Sequence, residues 1–338
     1  MLNENSKLNN HTFDIEKLEQ IPTRDGFGRG LVEAGEADPK IVALCADLAE
    51  STRAHWFREK FPERYVELGV AEQNLATVAS GMANYGKIPF IMSYATFSPG
   101  RSNEQVRTTI ALNNVPVKIV GCHAGLSVGP DGATHQALED IGLMRMLPNM
   151  TVVVPADSEE ARKATLLLAK SGKPAYIRLG RDKSPVFTTK ESPFEIGKAQ
   201  ILYKSKNPQV AIVACGALVH NALLAAHDLE KEGLGTAVIN LATIKPFDKS
   251  ILPFLKDVGA IVTAEEHQTS VEWEASSFKK RWRNFFRCHM NLSEFTTDLD
   301  NQETQELFAE YGLDVAHIKL AIKKVLKENR EVSRKIKK

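Results

Sequence analysis

Residues 121–140 read Gly-Cys-His-Ala-Gly-Leu-Ser-Val-Gly-Pro-Asp-Gly-Ala-Thr-His-Gln-Ala-Leu-Glu-Asp, placing His123, Asp131 and His135 among glycines 121, 125, 129 and 132. Two imidazoles and a carboxylate supply donors, acceptors and a proton carrier that works near neutral pH. The glycines allow positive φ and close approach of the backbone to a ligand. Taken singly, a histidine is more often structural, and Gly129-Pro-Asp-Gly132 alone is a good turn. A zinc site is the rival reading, but the spacing matches no zinc pattern and no further ligand is evident, so no metal site is expected here. In a second motif, Gly69-Val-Ala-Glu-Gln-Asn74, Glu72 stands at the mouth of a helix. By itself it is a dipole-facing carboxylate worth about 0.3–1 kcal/mol. Asp47 ends an apolar run with Ser51 four residues on, Tyr94 and Phe97 end another, and Arg24, Arg178 and Arg181 are isolated cations. Singly, these are turn, core and surface residues.

Apolar runs at 41–48, 65–68, 89–94, 115–121, 151–155 and 174–179 read as strands, with helical spacing at 26–37, 72–85, 103–113, 138–146 and 158–171. Such alternation means parallel strands joined by covering helices. It places both motifs at strand-to-helix junctions, where open α/β sheets bind ligands. Asp157 caps the helix at 158–171, with Glu159 and Glu160 in its first turn. Residues 180–197 are polar, carry Pro185 and Pro193, and read as a linker. A second α/β unit follows, with strands at 209–215, 236–241 and 260–264 and helices at 219–232, 250–258 and 315–326. The fold class is α/β, two domains, each a mainly parallel sheet covered by helices. The boundaries expected are an extension at 1–20 (frayed or packed on a partner), a first domain at 21–185, a linker at 186–197, a second domain at 198–328 and a basic tail at 329–338.

Forty-three basic residues against 42 acidic ones leave a net charge of +1, which is no nucleic-acid footprint. The four cysteines are far apart, with no C-x-x-C pair, as suits reduced thiols in a cytoplasmic protein. No apolar run is long enough to span a bilayer, so no membrane role is expected.

Together, the two motifs resemble the C-terminal half of the transketolase family of thiamine-diphosphate enzymes, over about residues 20–326. The resemblance implies that Glu72 hydrogen-bonds the aminopyrimidine of thiamine and exchanges a proton with it. It implies that Phe97 stacks on that ring, with Tyr94 the second candidate, and that Asp47 lies beside the cofactor. His123, Asp131 and His135 would bind ketose hydroxyls, with the imidazoles assisting proton transfer. Arg24, Ser51 and Arg181 (or Arg178) would hold the sugar phosphate. The family's Gly-Asp-Gly and asparagine that clamp Mg²⁺ on the diphosphate are not found, so the resemblance implies a partner chain carrying them. The implied assembly is a heterotetramer in which thiamine diphosphate is shared between chains and the partner holds Mg²⁺. The implied activity moves a two-carbon ketol unit between sugar phosphates. Neighbouring readings are a deoxyxylulose-phosphate synthase, a 2-oxoacid dehydrogenase β subunit (which lacks the histidine loop) and a noncatalytic scaffold.

Residues 270–302 depart from the pattern. Thr263-Ala-Glu-Glu-His267-Gln and Glu310-Tyr-Gly-Leu313 match the family, but the segment between them has no glycine and carries Phe278-Lys-Lys-Arg-Trp-Arg-Asn-Phe-Phe-Arg287. Dense cations and aromatics suit a partner-binding helix or nucleic acid. The reading preferred here is a pair of compensating frameshifts, because Val271-Glu-Trp-Glu-Ala275 back-translated and read from its third nucleotide gives Gly-Met-Gly-Ser, much like the family's turn.

Overall fold

The computed structural model describes residues 1–258, 260–268, 285–290 and 303–336; side chains are described only through residue 328, and not for 285–290. The first sheet orders its seven strands as Thr243–Lys245, Thr151–Val153, Ala175–Arg178, Lys118–Cys122, Ile88–Tyr94, Ile41–Cys45 and Tyr65–Glu67. All neighbours run parallel except Thr243–Lys245, an antiparallel edge contributed by the second unit. Every residue of Ile41–Cys45 and Lys118–Cys122 is buried, because helices cover both faces of a parallel sheet and leave its strands no wet side. Helix α1 (Thr23–Ala37) packs through Gly26 and Gly30 on α3 (Ser158–Lys170), while α2 (Glu72–Asn84) buries Leu75, Ala76, Ala79 and Ala83. The helix expected at 103–113 contains a wide turn, with Leu112 N–H reaching back to the Arg107 carbonyl.

The second sheet orders Phe285–Met290, Ile261–Gln268, Val210–Ala214, Thr236–Asn240 and Gln200–Lys204, the last antiparallel. Helix α4 (Leu218–Lys231) and α5 (Val315–Ile336) cover it. Of the atypical segment at 270–302, only 285–290 falls within the described residues, as a strand parallel to Ile261–Gln268; the frameshift reading otherwise lies outside them.

The opening residues are not frayed. Asn3 N–H bonds the Leu202 carbonyl at 2.8 Å, Phe13 stacks on His227 at 4.0 Å, and His220 Nε2 meets the Thr12 carbonyl at 2.9 Å. The extension lies on its own second unit because its apolar residues, Leu2, Leu8 and Phe13, join that unit's core. The linker is also strapped down. Buried Asp157 caps α3 through Glu160 N–H and accepts from Phe187 N–H, Thr188 N–H and the Thr188 hydroxyl.

Glu160 joins the two units. Its carboxyl accepts from Ala156 N–H at 2.9 Å and from Asn240 Nδ2 at 2.7 Å. Burial, then the Asp157 charge, pushes its pKa up to about 8. The folded state therefore favours neutral Glu160. The associated stability is complete below the ordinary carboxylate pKa and is lost as pH rises through about 8. Glu160→Gln should flatten the fall in Tm between pH 6 and pH 9 and raise Tm at pH 9 by about 2–4 °C. Parallel Tm–pH curves for variant and parent would contradict this.

Candidate active site

Strand ends and helix starts bring most of the implied residues together. Glu72 opens α2 with its side chain 2 % exposed, at a cleft lined also by Val70, Ala71, Gln73, Asn74 and Arg101. Its Oε2 accepts from Arg101 Nη1 at 2.7 Å, and the Arg101 guanidinium carbon lies 5.1 Å from the Phe97 ring centroid. Phe97 and Arg101 share the wide turn Thr96–Arg101, which leaves strand Ile88–Tyr94. The Tyr94 ring lies 5.9 Å from Phe97 and 3.8 Å from His123 in a stacked arrangement. His135 meets both aromatic rings edge-on, 5.8 Å from Tyr94 and 5.5 Å from Phe97.

His123 lies just past strand Lys118–Cys122 and is buried at φ +53°, a left-handed conformation uncommon for residues other than glycine. Arg24 Nη1 reaches His123 Nε2 at 3.1 Å and the Ser51 carbonyl at 2.9 Å. A guanidinium only donates, so Nε2 accepts and the ring proton sits on Nδ1. Burial first, then the Arg24 charge, presses the His123 pKa down to about 2. Its Nδ1 is buried without a hydrogen-bond partner among the described residues. With Nε2 taken by Arg24, the Nδ1–H is the group His123 can offer to a ligand. His135 is partly exposed, with Nδ1 2.8 Å from the Thr134 hydroxyl.

Asp131 and Arg181 form a looser rim pair at 3.9 Å, and Arg181 Nη1 also donates to the Val128 carbonyl. Of Ser51, the carbonyl faces Arg24. Asp47 is exposed at φ +58°; its N–H bonds Glu67, which also takes Gly69 N–H, tying the Asp47 turn to the turn before Glu72. Arg178 is buried between Asp140, at 3.0 Å, and Glu266, whose carbonyl accepts from Nη2 at 2.8 Å, so its guanidinium is already engaged by these two acids.

Sequence reasoning missed three supports. Arg101 follows Phe97 too closely to stand out. Glu67 reads as an edge-strand residue. Glu266, in the second unit, accepts from Ser127 N–H at 2.5 Å and from the Ser127 hydroxyl at 3.2 Å, so it carries the glycine loop. A Cβ at Gly125 (φ +81°) would lie 2.3 Å from the Glu266 carboxyl carbon, which is why that position takes no side chain. The signal was present in Thr263-Ala-Glu-Glu-His267, but nothing there named its contact.

The site fits the pyrimidine half of thiamine on its own chemistry. A buried carboxylate opens onto a cleft beside an aromatic ring, and an unpartnered imidazole donor lies two rings away.

Two family descriptions match the chain: "Transketolase, pyrimidine binding domain" over residues 19–186, and "Transketolase, C-terminal domain" over 197–318. A putative transketolase C-terminal section from Methanocaldococcus jannaschii is 40% identical over 72% of this chain and 77% of its own length. A 6-deoxy-6-sulfo-D-fructose transketolase subunit from a Clostridium strain is also 40% identical, over 76% of this chain and 79% of its own. Among solved structures, one described as a split gene transketolase, inactive beta4 tetramer, superposes with a TM-score of 0.82 at 38% identity, covering 91% of this chain and 99% of that one. The chain belongs to the transketolase family and matches its C-terminal section, the pyrimidine-binding and C-terminal domains.

Proposed function

We propose that this chain is the C-terminal subunit of a two-chain, thiamine-diphosphate-dependent transketolase. It would transfer a two-carbon ketol unit from a ketose phosphate to an aldose phosphate. A separate chain would hold the diphosphate and its Mg²⁺, with two copies of each chain forming a heterotetramer in the cytoplasm. The observation that carries the reading is the unbroken run of contacts from Glu72 through Arg101, Phe97, Tyr94 and His123 to Arg24, with His135 against both aromatics. The similarity to a protein solved as a split gene transketolase supports division over two chains.

Thiamine diphosphate, when bound, supplies a thiazolium able to stabilise a carbanion. This chain's residues handle the pyrimidine ring and the sugar. Glu72 holds and exchanges a proton with a pyrimidine nitrogen, and Phe97 fixes that ring by stacking. His123 Nδ1–H donates to a sugar oxygen, Asp131 accepts from a hydroxyl, and His135 moves protons at the reacting oxygens. Arg24, beside Ser51 and with its buried Nε unpartnered among the described residues, and Arg181 at the rim take the phosphate dianion by charge-assisted hydrogen bonds. Asp47 stays a cofactor-side candidate through its tie to the Gly69 turn.

The test is reconstitution. The chain mixed with a diphosphate-binding partner chain, thiamine diphosphate and Mg²⁺ should turn over xylulose 5-phosphate, and the chain alone should not. Turnover by the purified single chain would refute partner dependence. In the reconstituted enzyme, Arg181→Ala should raise KM for phosphorylated donors about 10–100-fold with little change in kcat, because it removes a charge-assisted contact remote from the reacting bond. A sulfonated ketose belongs in the same assay, since guanidinium forks bind either anion and the Clostridium relative is named for one.

A further inference from the structure

We propose that Arg101 is a built-in competitor for the pyrimidine site, making with Glu72 and Phe97 the two contacts an aminopyrimidine would make. The inference rests on the reading of Glu72 and Phe97 as the pyrimidine-binding pair. A guanidinium is a flat cation with N–H donors in a fork, and it stacks on aromatic faces. An aminopyrimidine is also flat; it meets a carboxylate through a ring nitrogen and an aromatic through its face. Arg101 spends Nη1 on Glu72 Oε2 at 2.7 Å and places its guanidinium carbon 5.1 Å from the Phe97 centroid. Both ligands therefore need the same carboxylate and the same ring, and they exclude one another.

The pair differs from the surface ion pairs of this chain. In Arg58–Glu50 both side chains are exposed, 42% and 72%. Here the carboxylate is 2% exposed and the arginine 50%. A carboxylate taken out of water is costly unless paired, so Arg101 keeps Glu72 compensated. Half of the arginine already stands in solvent, and it follows Gly100 at the end of the Thr96–Arg101 turn, so it has water to withdraw into when a ring arrives. Tyr94 and His135 hold Phe97 from other directions and keep the ring in place during the exchange.

Because a merely structural arginine would weaken ligand binding when removed, the sign of the effect is diagnostic. Thiamine is titrated into the full chain and binding followed by ligand-observed NMR. Arg101→Ala should bind thiamine about 3–10-fold more tightly than the parent chain, and Arg101→Lys should fall between them. Guanidinium chloride at tens of millimolar should weaken binding to Arg101→Ala, where sodium chloride at equal ionic strength does so less. Glu72→Gln should weaken binding in either background. Unchanged or weaker binding by Arg101→Ala, with Glu72→Gln still weakening it, overturns the competitor role and leaves the pyrimidine site standing. No thiamine binding by either the parent chain or Arg101→Ala, even at about 10 mM, overturns both.

Discussion

Glu72→Gln lowers kcat of the reconstituted enzyme by at least about 10²-fold, with Tm within about 2 °C of the parent. Glutamine keeps the shape of the side chain and an oxygen for the Arg101 Nη1 bond, so α2 still starts at this residue and the cleft lined by Val70, Gln73 and Asn74 persists. What is lost is a group that can take and return a proton. A side chain in this role contributes typically 10²–10⁴-fold to rate, and Glu72 is the one carboxylate among the described residues that line this cleft. Of the implied site's other acids, Asp131 belongs to the sugar loop and faces Arg181, and Asp47 is exposed in the turn tied to Glu67. Glu72→Asp separates charge from reach, since it remains an acid but retracts one methylene from the cleft, and its kcat should fall between the two. Glu72→Gln with an undiminished kcat would remove Glu72 from the chemistry and turn it back into a helix-terminal ion-pair residue.

The alternation of strands and helices was readable because a parallel sheet demands uninterrupted apolar runs, and Ile41–Cys45 and Lys118–Cys122 provide them. Strand Thr243–Lys245 was not readable. Three residues long and lying before Pro246, it joins the other unit's sheet through a pairing that no local pattern encodes. Site residues divide along the same line. Glycine-framed polar groups such as Glu72 and His123 are visible because a packed core has no use for them. The states of those groups are not visible, because they come from contacts distant in sequence. His123 becomes a fixed donor only when Arg24, 99 positions away, occupies its Nε2. Arg178 and Arg181 are three residues apart and alike in sequence, yet one is sealed between two buried acids and the other stands at the rim. Strand geometry decides this: Arg178 is still within Ala175–Arg178 and points into the packed interior, whereas Arg181 lies past the strand's end.

That contrast gives the largest stability effect expected in this chain. Arg178→Met should cost about 3–5 kcal/mol of folding free energy, read as a fall in Tm of about 6–15 °C. Arg178 Nε bonds Asp140, which also accepts from the Tyr176 hydroxyl at 2.6 Å, and its other nitrogens reach the Glu266 carboxylate and carbonyl. Methionine fills the volume but leaves Asp140 and Glu266 buried with their cation gone. Neutralising Asp140 as well, in Arg178→Met/Asp140→Asn, should recover part of the loss, which a packing defect would not allow. The damage should also reach the sugar loop, because Glu266 holds Ser127 through two hydrogen bonds and Arg178 helps hold Glu266. KM for donor sugars should therefore rise in Arg178→Met even at temperatures where the variant is fully folded. A phosphate-binding arginine would differ in stability, its loss raising KM while leaving Tm unmoved. Arg178→Met that melts within 2 °C of the parent while losing donor affinity would return this residue to the substrate site and remove it from the junction between the two units.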